Sequence, residues 1–465
     1  MTAASTPVSA PVSLPASLAA KNTTNGALLP TNQAILVFLA FAFSYFMSAL
    51  IRAITATISP VLTVELSLQA RDLGLLSGGY FIGFAAMQLP LGKWLDKFGP
   101  KKVIICFLSV AVLGCLAFAK ATSFSGLLLA RVFCGAGVSA CLMAPLTGYR
   151  RWLAPNSQIR ANSWMLMSGS LGMVASTLPV QWLMPIWGWR GIFVALSAMT
   201  FIAILAIVVI VPAWKLEAAS EAIDKNKVVD YSYTQVWSNP YIRSLIPLAF
   251  FLYGGLVAVQ TLWVSPWMIK VAGYSALEAA QGLFYINVAM LITFWLWGSI
   301  NPWLFRNKIN SDRLMVQGLP ISFVVLAIII IAIQAYNTPA TSINTIIIAN
   351  KVGFELILAI LNKYVWALWA LYCVSCTFIA LSQPAIAMAF PAELAGRALS
   401  AYNLVIFAGV FVVQWGIGLM IDGFKALGWT EVAAFQGAFG IFLLCNMASY
   451  GYFVVTRTRS SAQPA

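Results

Sequence analysis

The segment GKWLDKFGPKK, from Gly92 to Lys102, concentrates charge in a chain of which only 9% of the residues are charged. It lies between two apolar runs, 74–92 and 103–120, and a helix needs roughly 20 such residues to cross the hydrocarbon of a bilayer. Four lysines surround a single acid, Asp96. Because lysine and arginine accumulate in cytoplasmic loops, we expect this segment to connect two membrane-spanning helices on the cytoplasmic side.

Composition extends this interpretation to the whole chain. Of its 465 residues 61% are hydrophobic, and the mean hydropathy is +0.88, whereas soluble domains contain about 45–50% apolar residues. Backbone polar groups inside a bilayer must be satisfied within their own segment, so long apolar runs predict helices. The sequence predicts an all-α membrane protein with 12 transmembrane helices, at 34–58, 74–92, 103–120, 124–146, 162–183, 191–212, 244–266, 278–301, 314–335, 366–390, 398–421 and 432–455.

The distribution of charge predicts the orientation and argues against a nucleic-acid partner. An even number of spans places both termini on one side, and most of the 27 lysines and arginines fall in cytoplasmic segments if that side is the cytoplasm. The net charge of +14 is then explained by topology and by contact with anionic lipid headgroups. We expect membrane lipids, and no nucleic acid, among the partners.

The remaining segments divide the chain into two halves with polar connections. The N-terminal segment lacks the apolar core of a signal peptide and is expected to be disordered. A segment between spans nine and ten is apolar yet interrupted by charge, which favours an interfacial helix or hairpin on the outer face. The predicted plan is a cytoplasmic tail (1–33), an N-terminal half (34–213), a cytoplasmic linker (214–243), a C-terminal half (244–456) with an extracytoplasmic insertion (337–365), and a second cytoplasmic tail (457–465).

An internal repeat supports this division. Ser59-Pro60 ends the first predicted span and Ser265-Pro266 ends the seventh, an offset of 206 residues. A later landmark, Gly188-Trp189, has its counterpart in Gly428-Trp429 at an offset of 240. The larger offset places the extra residues between these landmarks, as the insertion requires.

The loop between spans two and three resembles that of the major facilitator superfamily. The family pattern G-x-x-x-D-[RK]-x-G-x-[RK]-[RK] is matched by Gly92, Asp96, Lys97, Gly99, Lys101 and Lys102. In span four the segment ARVFCGAG matches R-x-x-x-G-x-G with Arg131, Gly135 and Gly137. The resemblance implies two pseudo-symmetric six-helix halves and transport by alternating access, with a substrate site near the membrane midplane.

The resemblance also implies roles for both motifs. Asp96 is expected to pair with helix ends and basic groups, closing the cytoplasmic side when the protein opens outward. A simple solvated loop charge is the alternative. Arg131, Gly135 and Gly137 are expected to serve helix packing and coupling.

Chemistry other than transport finds little support in the sequence. The 13 acids lie in loops or at span ends and there is no histidine, so a proton carrier within the membrane is not expected. All seven cysteines fall inside predicted spans, and the pair Cys373 and Cys376 is interpreted as helix packing. No nucleophile with a base and no cluster of metal ligands is evident. We expect no enzyme activity, no metal and no cofactor.

Arg52 is the principal candidate for binding a substrate. It lies eight residues before Pro60, a spacing that resembles span one of the organic phosphate antiporters, where this arginine binds the anion. The offset of 206 maps Arg52 onto Ala258, so the second arginine of that branch is missing, and one carboxylate or similar anion fits better. The alternative is that Arg52 extends to the outer interface. Further candidates are Tyr80, Gln260, Trp263, Tyr285, Gln383 and Asn403.

The sequence thus predicts a monomeric secondary transporter, or exchanger, for a small organic anion in a bacterial cytoplasmic membrane. Export of amphipathic drugs is one alternative, although span five (SGSLGMVASTLPVQ) lacks the Gly-Pro motif of drug antiporters. A membrane sensor built on the transporter fold is the other, since some relatives in the organic phosphate branch act as receptors.

Overall fold

The computed structural model describes residues 28–213, 233–307, 310–332, 360–390 and 392–461, and helices account for nearly all of them. Most of the predicted N-terminal tail, linker and insertion lies outside these ranges. We name the two membrane faces by the expected topology, so that the loop 92–102 marks the cytoplasmic side.

Eleven helices in the described ranges are long and apolar enough to cross a membrane. They are spans 1 to 4 (Thr31–Glu65, Ala70–Leu95, Lys97–Lys120 and Phe124–Trp152), a helix at Leu178–Ile210 that contains span 6, and spans 7 to 12 (Pro240–Lys270, Ala276–Ile300, Ser311–Ile331, Val365–Ile386, Gly396–Ala426 and Glu431–Arg457). A short helix, Tyr233–Ser238, precedes span 7.

Span 5 is the twelfth passage and is more polar than the others. It begins with the helix Pro155–Ala175, breaks at residues 176–177, and continues in the helix Leu178–Ile210 as far as Gly188, where a φ of 61° turns the chain into span 6. Its contacts fix its direction along span 1: Gly169 lies against Tyr45, and Ser176 lies beside Thr57. The predicted spans 162–183 and 191–212 therefore correspond to 155–187 and 189–210.

The expectation that Ser59-Pro60 ends span 1 is wrong, because the helix continues to Glu65. A proline inside a helix leaves the carbonyl four residues earlier without its backbone N–H. Here that carbonyl belongs to Ala56, and the hydroxyl of Ser59 donates to it at 2.9 Å. The serine before the proline thus replaces the missing hydrogen bond, and the helix is not interrupted.

The internal repeat is visible in the backbone. Ser67, after span 1, has a φ of 50°, and Gly273, 206 residues later, has a φ of 75° after span 7. Gly188 and Gly428, at the predicted offset of 240, have φ values of 61° and 86° and make the turns before spans 6 and 12. The same turns therefore recur at the same places in both halves.

The cytoplasmic loop between spans 2 and 3 is a sharp bend. Gly99 has a φ of 76°, in the region that side chains other than glycine rarely adopt, which explains the glycine of this motif. The ammonium group of Lys101 donates to the carbonyl oxygens of Val208 and Val211 at 2.8 and 2.6 Å, so it caps the end of span 6. Lys97 and Lys102 are exposed, and the side chain of Asp96 lies outside the described part.

The two halves meet closely on the outer side. The carboxylate of Asp422, near the end of span 11, accepts the backbone N–H groups of Ala70 and Arg71 at the start of span 2. Glycines bring these two helices together: a Cβ on Gly74 would collide with the carbonyl of Gln414. A cavity of about 920 Å³ opens beside this contact, lined by the outer ends of spans 1, 2, 7, 11 and 12.

Candidate functional site

Arg52 lies on span 1 where the two halves face each other. It is partly buried, and its Nη2 lies 3.7 Å from the thioether sulfur of Met173 on span 5. Its Nε is buried and has no hydrogen-bond partner among the described residues. The guanidinium therefore retains capacity to bind an anion.

Three tyrosines lie near this guanidinium. Arg52 is close enough to Tyr45, Tyr80 and Tyr253 to interact with each of them electrostatically. Tyr45 lies two turns from Arg52 toward the cytoplasmic end of span 1, and Tyr253 belongs to span 7 of the other half. This position argues against the alternative in which Arg52 extends to the outer interface.

Amide side chains continue the site into the second half. Asn287, on span 8, donates from Nδ2 to the backbone carbonyl of Met173 at 3.3 Å. Its Oδ1 accepts a hydrogen bond from Gln260 Nε2, on span 7, at 2.9 Å. A continuous row of contacts thus crosses from one half to the other, through Arg52, Met173, Asn287 and Gln260.

Span 7 deviates from a regular α-helix at this row. Residues 249–253 and 259–263 form π-helical turns, and Tyr253 and Gln260 lie within them. Such turns are rare and occur frequently at functional sites, where they reorient side chains. They support the assignment of this region as the candidate site.

Arg131 is fully buried and holds span 1 beside Arg52. Its Nη1 donates to the carbonyl oxygen of Ile51 at 3.0 Å, and its Nη2 contacts the hydroxyl of Thr55. Its guanidinium lies 5.4 Å from the centroid of the Tyr80 ring, a cation–π contact. Arg131 therefore fixes the backbone from which Arg52 projects.

The glycines of the span-four motif serve close packing. A Cβ on Gly135 would collide with the carbonyl of Tyr80 on span 2, and one on Gly137 with the backbone of Ala111 on span 3. At the cytoplasmic end, a Cβ on Gly92 would meet open space.

Two of the candidate residues, Tyr80 and Trp263, are fully buried, Tyr80 near Arg52 and Trp263 nearer the outer side. The Tyr80 hydroxyl donates a hydrogen bond of 3.4 Å to the Ser48 carbonyl oxygen. Trp263 is fully buried, donates to the carbonyl of Gln414 at 3.0 Å, and lies at the wall of the outer cavity. Trp263 is thus nearer the outer side than the row around Arg52.

Three other candidates lie elsewhere in the second half. Gln383 on span 10 donates to Asn403 on span 11 at 3.3 Å, and both are partly buried. Tyr285 on span 8 is 46% exposed, and its ring lies 4.9 Å from that of Trp366. None of these three makes a described contact with Arg52.

The described carboxylates lie at the ends of the spans. The most buried of them, Asp312, is at the cytoplasmic end of span 9, where it accepts a hydrogen bond from Tyr241 at 2.9 Å and pairs with Arg457. On the outer side Glu65 contacts Trp189 and Arg190 at the start of span 6. Within the described ranges Arg52 and Arg131 have no carboxylate partner.

The described residues contain no group of three or more potential metal ligands. Cys373 and Cys376 are buried free thiols on span 10, consistent with a packing role. The thiols of Cys115 and Cys134 lie 3.8 Å apart between spans 3 and 4, a contact that no sequence pattern indicated.

Sequence reasoning missed several residues of the site. Arg52 contacts Met173 and lies near Tyr45 and Tyr253, and Asn287 contacts Met173 in turn. Gln414 joins span 11 to span 7 through a hydrogen bond to Thr261. Asn287 and Gln414 could have been suspected, because each is an amide inside an apolar run. Met173 carried no signal, since methionine is common in any hydrophobic core.

Comparison with curated proteins identifies transporters as relatives. A probable sulfoacetate transporter of Cupriavidus necator is 22% identical over 70% of this chain and 76% of its own length. A putative niacin/nicotinamide transporter of Bacillus subtilis is 24% identical over 51% of this chain and 59% of its own length. A hexuronate transporter of Escherichia coli is 27% identical, over about a third of either protein (34% and 36%).

A solved structure has the same fold along nearly the whole chain. It is a bacterial homolog of the human lysosomal transporter Spinster in an inward-facing, unoccupied conformation, with a TM-score of 0.69 at 16% identity, covering 94% of this chain and 100% of the other. The family model described as Major Facilitator Superfamily matches residues 41–413. The predicted fold is confirmed, and the chain belongs to the major facilitator superfamily, a family of membrane transporters and not of enzymes.

Proposed function

We propose that this protein transports a small organic anion by alternating access and that Arg52 binds the anionic group. One observation carries the proposal: a guanidinium lies between the halves with a buried, unpaired Nε and no carboxylate partner among the described residues. An arginine at the centre of a span costs about 2.5–3.5 kcal/mol on insertion scales. That cost is explained if the side chain has an anionic ligand to bind.

The surroundings of Arg52 fit a ligand with one negative group and additional polar groups. A single guanidinium offers two parallel N–H donors to a carboxylate or sulfonate. The nearby tyrosine hydroxyls and the Gln260–Asn287 amides offer neutral hydrogen-bonding partners to the rest of the molecule. The names of two relatives, transporters of sulfoacetate and of hexuronate, agree with this class of ligand.

Binding of defined anions to the purified protein tests the proposal. Sulfoacetate, glucuronate and 4-hydroxybenzoate are the probes, and neutral amide analogues are the controls. We expect at least one probe to raise the melting temperature, because a ligand that binds only the folded state stabilises it. We expect Arg52→Lys to lower the affinity by about thirty-fold and Arg52→Ala to abolish binding, since truncating one partner of a buried charge pair costs about 2–5 kcal/mol.

Arg71→Ala is the matched control, since Arg71 is exposed at the outer end of span 2. Wild-type affinity in a folded Arg52→Ala protein would refute the role of Arg52. Uptake of the bound anion into proteoliposomes then distinguishes a transporter from a sensor, which would bind the probe without moving it.

The proposal includes the location and the cytoplasmic closure. We propose that the protein is a monomer in a bacterial cytoplasmic membrane. We place both termini inside because of the distribution of lysine and arginine. Asp96 is proposed to close the cytoplasmic side in the outward-open state. Asp96→Asn should then slow transport and leave anion affinity unchanged, and wild-type transport in this variant would remove Asp96 from the mechanism.

A further inference from the structure

Met173 contacts both the Arg52 guanidinium of the first half and the Gln260–Asn287 amide pair of the second half. Its sulfur lies 3.7 Å from Arg52 Nη2, and its backbone carbonyl accepts the hydrogen bond from Asn287 at 3.3 Å. The side chain and the backbone of one residue thus contact the two sides of the candidate site.

The contact between Met173 and Arg52 is chemically mismatched. A thioether sulfur is a weak hydrogen-bond acceptor, whereas a guanidinium carries five N–H donors and binds carboxylates through two of them. A carboxylate or sulfonate oxygen in place of the sulfur would gain charge-assisted hydrogen bonds, which are about twice as strong as neutral ones. An anion that reaches Arg52 should therefore displace the sulfur.

The backbone of Met173 is fixed while its side chain can move. A Cβ on Gly172 would collide with the carbonyl of Phe46, so span 5 lies directly on span 1 here. The carbonyl oxygen of Ser176, three residues further on, accepts a hydrogen bond from Thr57 at 2.7 Å. Methionine has three rotatable side-chain bonds. The sulfur can leave Arg52 by a change of rotamer, without movement of the helix.

We infer that the thioether of Met173 occupies the position of the anionic group at Arg52 when the site is empty, and that anion binding displaces it. This inference rests on the proposed function and adds the position of the anionic group, between Arg52 and span 5. Because the same residue accepts the hydrogen bond from Asn287, the displacement takes place beside a contact that joins the two halves.

A series of substitutions at Met173 tests the inference through anion affinity. Sulfoacetate and glucuronate are titrated against Met173→Leu, Met173→Gln and Met173→Glu. Internal competition predicts that affinity falls as the acceptor strengthens. Leucine should equal or exceed the wild type, glutamine should lose about three-fold, and glutamate should lose about thirty-fold or more because its carboxylate occupies the guanidinium.

The control variant is Met167→Gln, the same substitution at an exposed position of span 5. It should leave affinity unchanged. A simple packing role for Met173 predicts a different order, in which leucine also weakens binding and glutamine weakens it no more than leucine does. That order, or wild-type affinity in Met173→Glu, would overturn the inference.

A stability measurement tests the geometry without a ligand. If the side chain at position 173 faces Arg52, then Met173→Glu forms an internal ion pair, and its melting temperature should stay close to that of the wild type. In the Met173→Glu, Arg52→Ala double variant the carboxylate has no partner, and the melting temperature should fall by much more than in Arg52→Ala.

The two experiments separate the inference from the proposed function. Equal melting losses for Met173→Glu with and without Arg52 would overturn the inference, even if probes bind. If the melting temperatures show the ion pair but no probe binds the wild type, the proposed function fails. The inferred position of the anion then fails as well, and only the contact between Met173 and Arg52 is supported.

Discussion

Asp422 accepts the backbone N–H of Arg71 at 2.8 Å, and through this hydrogen bond span 11 closes against span 2 on the outer side. The same carboxylate also accepts the N–H of Ala70 at 3.2 Å. The first N–H groups of a helix have no partner within it and carry partial positive charge. The carboxylate of one half thus satisfies the helix start of the other half, and the contact must break if the outer side opens.

The first prediction concerns this outer contact. Asp422→Ala should favour the outward-open state by roughly ten-fold, because hydrogen bonds to a charged group contribute about 1.5–3 kcal/mol. A single cysteine at Thr63, in the wall of the outer cavity, should then react faster with a membrane-impermeant maleimide applied from outside. The reaction rate is the measurement.

Glu431→Gln is its control. Glu431 also lies at the cavity, but its partners Lys270 and Lys425 belong to its own half. The control should not change the labelling rate. Equal rates in Asp422→Ala and the wild type would show that the Asp422 contact does not hold the outer side closed.

The second prediction concerns Arg131. Arg131→Ala removes the donors to Ile51 and Thr55 and leaves a cavity, so it should destabilise the protein by about 2–4 kcal/mol. Arg131→Lys keeps the charge but not the planar fork and should lose part of this stability. Melting temperature measures both variants, with the exposed Arg71→Ala as reference. A melting temperature of Arg131→Ala equal to that of the reference would contradict the assigned role.

The third prediction separates two lysines of the cytoplasmic loop. Lys101→Met should destabilise the protein by about 1 kcal/mol, because it removes the cap from the carbonyls of Val208 and Val211. Lys102→Met removes the same charge from an exposed neighbour and should have little effect on melting temperature. Equal melting temperatures in the two variants would mean that the cap contributes nothing measurable.

The fourth prediction concerns protons. Since the described carboxylates lie at span ends, the pH dependence of transport should follow ionisation of the substrate. Asp312→Asn is the sharpest test, because Asp312 is the most buried of them and pairs with Arg457. We expect lower stability but an unchanged ratio of pH-driven uptake to anion exchange in proteoliposomes. Loss of pH-driven uptake alone would identify Asp312 as a proton carrier.

The sequence predicted the architecture well, because the features that define it are local. Runs of about 20 apolar residues mark spans without reference to distant contacts. The offset of 206 residues, read from two Ser-Pro pairs, reappears in the backbone angles of Ser67 and Gly273. The predicted end of span 1 was wrong because Pro60 does not end the helix. The hydrogen bond from the Ser59 hydroxyl to the Ala56 carbonyl replaces the missing one, and no sequence pattern indicated it.

The candidate site was predictable only in part. Arg52 could be singled out because a cation within an apolar run is costly anywhere in the membrane. Its neighbours could not, since Met173 and Asn287 are distant in sequence and no pattern links them to residue 52. Tyr285 was an equally reasonable candidate, yet it is 46% exposed and packs on Trp366.

The sequence by itself determined that this protein is a helical membrane protein with a repeated six-span plan and a basic loop between spans 2 and 3. The tertiary structure alone decided which side chains meet around Arg52 and that Asp422 joins the halves. The physical reason is that lipid and protein interior are similarly apolar. Hydrophobicity therefore marks a span but not which of its faces turns toward the other half.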